Sequence, residues 1–134
     1  MSTPAVVHGD VEQTLRDHLL AQLVASTDPV TQGVTIGVAL DDHPPRYVLV
    51  RLAGGASPRL GVDVPRVDVQ CWHDTDRQAL DLAALVRAWL QQARGVGLIR
   101  GVRESARPTP IPDPSSGAHR YLQTVDLTLR GVPL

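Results

Sequence analysis

The sequence predicts an α+β fold, a mostly antiparallel β-sheet with two main helices packed on one face. Three features carry that expectation. The stretch Val64-Pro-Arg-Val-Asp-Val-Gln-Cys-Trp-His73 alternates, with Val67, Val69 and Cys71 on one side and Arg66, Asp68, Gln70 and Trp72 on the other. Period two belongs to a strand with one buried face. The chain then switches to helical period, with Ala79, Leu82, Ala83, Val86, Trp89, Leu90 and Ala93 on one stripe. The other strand candidates are joined by short turns, and two helices are long enough to cover one face of the sheet they form.

At 134 residues the chain fits one domain, residues 1–134, able to bury roughly two thirds of its unfolded surface in a single core. Residues 1–9 read as a loose lead-in. Asp10 stands as an N-cap with Gln13 at capping-box spacing, and Val11, Leu15, Leu19, Leu20, Leu23 and Val24 make the following helix amphipathic. Asp28-Pro29 closes it, because a residue before proline is driven out of helical geometry. Residues 34–40 are β-rich but include Gly37, which predicts a short or edge strand. Asp41-Asp-His-Pro-Pro45 is a turn. Residues 46–52 form a strand apolar on nearly both sides, and 53–61 (Ala-Gly-Gly-Ala-Ser-Pro-Arg-Leu-Gly) a flexible loop. After Trp72 a second helix starts at Asp74 or Thr75, the latter in capping-box spacing with Gln78, and runs to about Arg94, where Gly95 stops it. Residues 97–106 are a further strand. The proline-rich stretch 107–118 reads as an exposed, semi-extended loop, since prolines lack amide donors. In the final strand, 119–130, Tyr121, Val125, Leu127 and Leu129 face inward and Thr124, Asp126, Thr128 and Arg130 outward.

Composition narrows the function classes. The net charge is −1 and every basic side chain is Arg, so nothing drives the whole chain toward a nucleic-acid backbone or an anionic membrane. The absence of Lys and Phe fits a GC-rich coding bias. Cys71 is alone, which excludes an intrachain disulfide. No apolar run approaches membrane-spanning length, and the N-terminal residues lack the pattern of a secretory signal, so cytosolic synthesis is expected.

No catalytic set emerges. Cys71 and His73 lie two apart on a strand and share a face, but a zinc site needs two further ligands and none is clustered with them. A Cys71 nucleophile with a His73 base would need a polar cleft, whereas Cys71 alternates with buried valines and reads as an inert core thiol. His8, His18, His43 and His119 are scattered. The glycines of 95–101 precede a strand and lack the Lys-Ser/Thr end of a phosphate loop, so they read as a helix cap and turn. Asp41-Asp42 reads as a solvated turn, and Ser57, Ser115 and Ser116 have no His partner. Arg100, Arg103 and Arg107, followed by Arg120, could line one edge. They lack interleaved aromatics for base stacking.

Val-Asp-Val-Gln-Cys-Trp72, the Ala/Leu helix behind it, and the terminal Tyr-Leu-Gln-Thr-Val-Asp-Leu-Thr-Leu-Arg-Gly131 together resemble the tail terminator proteins of long-tailed (siphovirus) bacteriophages, in particular those infecting actinobacteria. The resemblance runs from about Asp10 to Gly131; the segments 41–45 and 107–118 have no counterpart in it. It implies a small α+β virion protein, assembled in the host cytoplasm, that forms a ring, hexameric in that family. Such a ring caps the head-proximal end of the tail tube, stops tube growth and meets the head–neck connector, with DNA passing through its hole without specific binding. It implies no catalytic residue, metal or cofactor. A ring requires one patch to meet a different one with a rotation that closes, and uncovered edge strands, expected at 34–40 or 98–105, are natural joining surfaces. Loops 53–63 and 107–119, with Gly54, Gly55, Arg59, Pro110, Pro112 and Arg120, are the expected contacts to tube or neck. Asp68, Gln70, Thr124 and Asp126 are expected on one wall facing the lumen, a mildly acidic or neutral surface along which DNA slides. Arginines in place of Asp68 and Asp126 should then slow DNA exit and leave assembly intact. A neighbouring neck or tail-completion protein is the nearest alternative. A small cytosolic enzyme using Cys71 and His73, or a nucleic-acid-binding module, would be a different class.

Overall fold

A computed structural model describes residues 6–7, 10–40, 42–59, 61–111, 116–130 and 132–133. The elements run β1 (Val6–Val7), α1 (Val11–Ala25), a 3-10 turn (Pro29–Thr31), β2 (Thr35–Gly37), β3 (Tyr47–Arg59), β4 (Val62–His73), α2 (Asp76–Gln91), β5 (Ile99–Pro110), β6 (His119–Arg130) and β7 (Val132–Pro133). Five strands form a sheet in the order β2-β3-β4-β6-β5, while β1 and β7 pair separately. Only β2 runs parallel to its neighbour in the large sheet, so the expected mostly antiparallel α+β architecture is the one observed.

Both helices begin where the capping residues place them. The Asp10 carboxylate accepts the Gln13 amide at 3.1 Å, and the Thr75 hydroxyl accepts the Gln78 amide at 3.2 Å, each satisfying an amide left over at a helix start. The first box is half-formed, because the Gln13 side chain donates to Asp17 instead. Helix α1 turns Val11, Leu15, Leu19 and Leu23 into the core. Leu20 and Val24, counted above on the apolar stripe, remain 37% and 80% exposed; they lie roughly 100° round the helix from that row. Helix α2 buries Ala79, Leu82, Ala83, Val86, Trp89 and Leu90. It ends at Gln91 rather than near Arg94, and the chain turns through Ala93 and Gly95 into β5. Against the helices the sheet presents Val48, Val50, Val67, Val69, Cys71, Ile99, Val125, Leu127 and Leu129.

One expected loop is largely strand, and another begins as one. Residues 53–59 continue β3, so that β3 and β4 form one long hairpin reaching past the end of β2. Gly54 and Gly55 sit at φ 104° and 125° beside a register shift between Leu52 and Gly55. They make a bulge within a strand, which is the other use of glycine in β-structure. Strand β5 likewise extends through Pro108 to Pro110. The Ile111 amide donates to Arg120 O at 2.9 Å, so alternation turns positions 108 and 110 toward the open edge, where a missing N–H costs no ladder bond.

Candidate functional site

The sheet face turned away from the helices can be read row by row across the strands. Arg66 of β4 lies opposite Asp126 of β6, which lies opposite Arg103 of β5; in the next row Arg51, Asp68, Thr124 and Ala106 stand side by side. Asp68, Gln70, Thr124 and Asp126 therefore share one face, because directly opposed antiparallel residues point the same way. They do not form a uniformly open wall. Thr124 is 8% exposed and its hydroxyl donates to Asp68 Oδ1 at 2.8 Å, while Gln70 Oε1 is buried without a partner.

One end of this face is covered. Tyr47, Leu49 and Trp72 form a second apolar cluster with Ala118 against it. The His43 ring stacks on Tyr47 with 4.9 Å between centroids and lies 4.5 Å from Trp72. The segment linking β2 to its parallel neighbour β3 brings His43 there, across the end of the sheet. The Arg120 guanidinium sits 5.6 Å from the Trp72 ring centre and its Nε donates to Ile111 O at 2.9 Å.

The other end is uncovered, and arginines stand beside the Asp68 and Asp126 carboxylates there. Arg66 holds Asp126 through two hydrogen bonds, 2.9 and 3.4 Å, and that carboxylate raises the Arg66 pKa further above its ordinary value. Arg51, Arg103 and Arg130 are exposed. A shallow concavity of about 280 Å³ lies beside this row, lined by Gly55, Ala56, Val64, Arg66 and Asp126. Asp126→Arg would break the Arg66 pair and set three arginines in one row, so this half of the double substitution proposed above is not neutral toward folding.

The expected contact residues lie differently from their assignment to loops. Gly54, Gly55 and Arg59 belong to β3, Pro110 ends β5 and Arg120 lies in β6; the Arg59 side chain and Pro112 fall outside the described residues. Arg120 is engaged with Trp72 and Ile111 and is not a free contact. Arg100, Arg103 and Arg107 do lie exposed on the edge strand β5. Strands β2 and β5 are the two edges, as the ranges 34–40 and 98–105 anticipate.

The thiol chemistry weighed from the sequence lacks its geometry. Cys71 is fully buried, and burial pushes its thiol far above the ordinary range. His73 is 4% exposed; its Nδ1 accepts the Asp74 amide at 2.9 Å, so Nε2 carries the proton it donates to Val30 O at 3.0 Å. Both ring nitrogens are occupied in binding the end of β4 to the turn after α1 and to the start of α2. Cys71 is expected to resist an alkylating reagent in the native protein and to react once the chain is denatured. Rapid native labelling would contradict this placement. His18 is also structural, its Nε2 lying 2.8 Å from Trp89 O and joining the two helices. Asp42 occupies a turn at φ 55°, while His8, Asp41 and Ser115 and the Ser57 side chain lie outside the described residues. Gly95 is at φ 89° and its amide donates to Ile99 O at 2.8 Å, the cap and turn expected of that segment.

No protein-family model matches the chain, and no curated protein matches it. Among solved structures it is similar to a chain from the virion of a native gene transfer agent particle. The two superimpose with a TM-score of 0.58 at 19% identity, over 90% of this chain and 95% of that one. At that identity the likeness is one of fold.

Proposed function

We propose that the protein is a structural component of a phage-like virion and that, within it, the chain acts as a tail terminator. In this role a ring of copies, six by the resemblance, closes the head-proximal end of the tail tube and offers its other side to the neck. The observation that supports the virion role is the extent of the fold likeness, and the terminator role within it rests on the sequence resemblance. The fold likeness covers nearly the whole of both chains, and the matched chain is part of a gene transfer agent virion.

The described surfaces suit assembly. The sheet ends in two chemically different edges, β2 with the free length of β3 on one side and β5 on the other, which is what a head-to-tail ring requires. Strand addition is restricted on β5, because register shifts, Pro108 and Pro110 interrupt its outer edge. The joint is therefore expected to rest on side chains along 99–107 and on the β3–β4 arm rather than on a continuous sheet.

Growth of purified tail-tube protein, followed by light scattering and electron microscopy with and without this chain, tests the reading. A terminator arrests growth at substoichiometric amounts and leaves a ring on one tube end. Binding to the tube end without arrest would assign the chain to the neck or to tail completion instead. No effect and no binding would remove the reading.

A further inference from the structure

We propose that the uncovered half of the sheet face is a contact for the phosphate backbone of duplex DNA, made without regard to base sequence. The inference stands on the charge distribution and holds for the free chain whether or not it forms a ring. The net charge of −1 conceals an asymmetry. Among the described residues this half of the face carries Arg51, Arg66, Arg103 and Arg130 against Asp68 and Asp126. Asp126 is neutralised by Arg66, and Asp68 accepts the Thr124 hydroxyl. Arg51, Arg103 and Arg130 are exposed and form no ion pair among the described residues. The helices on the opposite side of the sheet carry Glu12, Asp17, Asp76 and Asp81 against Arg16, Arg77 and Arg87, and each of these three arginines is held in an ion pair.

The spacing and chemistry favour duplex DNA over other anions. Arg51 on β3 and Arg103 on β5 are three strand intervals apart, about 14 Å, comparable to the width of a major groove, about 12 Å. One guanidinium can thus meet each flanking phosphate strand. Guanidinium matches phosphate in shape as well as charge. Among the described residues the uncovered half carries no aromatic ring, and Tyr47 and Trp72 on the covered half are 6% and 1% exposed, so the arginines have no neighbouring ring to stack on an unpaired base, as single-strand binding requires.

If the three unpaired arginines each neutralise one phosphate, the slope of log affinity against log salt is about −2.7, and raising salt from about 50 to about 200 mM weakens binding roughly forty-fold. The test is retention of the full chain on immobilised duplex DNA of arbitrary sequence, with anionic phospholipid vesicles in parallel. The wild type should bind at low salt and elute with that slope. Joint Arg51→Gln, Arg103→Gln and Arg130→Gln should abolish retention, and Arg103→Gln alone should flatten the slope by about 0.9. Arg16→Gln with Arg77→Gln, on the helices, should change neither. Absence of low-salt retention, equal losses in the two sets, or binding to vesicles alone would overturn the inference. DNA retention by a chain that fails to arrest tube growth would leave it standing and remove the terminator reading.

Discussion

Replacing Gly55 with valine is expected to dismantle the β3–β4 arm while leaving the helix-packed core folded. Gly55 holds φ 125°, a conformation that costs an L-residue about 1–3 kcal/mol. A Cβ there would also run into Val64 O and approach Pro65 Cα and Arg66 N at 2.6 and 2.8 Å. Those neighbours are backbone of the partner strand and cannot swing aside. A two-stranded ribbon is marginal by itself, so losing the bulge should release the arm from its register. Amides over 53–64 should exchange roughly ten- to hundredfold faster while those of β6 keep their protection. Gly54→Ala provides the contrast, since nothing lies within 4 Å of its added Cβ and only the backbone strain at φ 104° remains. If the arm docks on the tube or on a neighbouring copy, Gly55→Val should also lose capping. Unchanged exchange in the arm would show that its register does not depend on this glycine.

The second large effect is expected at Trp72, which is 1% exposed and lies at the centre of the cluster that covers the end of the sheet. Its ring meets His43 and Tyr47 at 4.5 and 5.9 Å and lies beneath the Arg120 guanidinium. Trp72→Ala should cost about 3–5 kcal/mol and lower the melting temperature by roughly 10–20 °C in a chain of this size. Trp72→Phe should cost far less. The indole Nε1 is buried without a partner, and an orphaned donor costs about 1–3 kcal/mol, so its removal offsets much of the packing lost with the smaller ring. Denaturant unfolding of the two variants checks this; a loss for Trp72→Phe as large as that for Trp72→Ala would contradict it.

The elements written in strong periodicity were legible from the sequence. Helix α2 has its stripe and Thr75 its capping geometry, and β6 alternates cleanly from Tyr121 to Leu129. The strand extensions were not legible, for a physical reason. Gly54-Gly55 and Pro108-Thr-Pro110 belong to residue types that mark loops but are equally at home in a bulge or on a sheet edge, and only the strand order decides which. The shared face of Asp68, Gln70, Thr124 and Asp126 follows from period two. What each residue touches on that face does not. The pairing of Arg66 with Asp126 depends on the register of two strands far apart in sequence, and the burial of Trp72 depends on Tyr47, His43 and Arg120, which come to it from other parts of the chain. The arginines that β3 and β5 bring alongside the carboxylates of β4 and β6 were out of sight for the same reason.

The proposal that this chain ends tube growth is tested most directly by deleting its gene and measuring tail lengths by electron microscopy. Tails of variable and excessive length, restored to one value when the chain is supplied in trans, are the expected result. Tails of normal, uniform length in its absence would contradict the account.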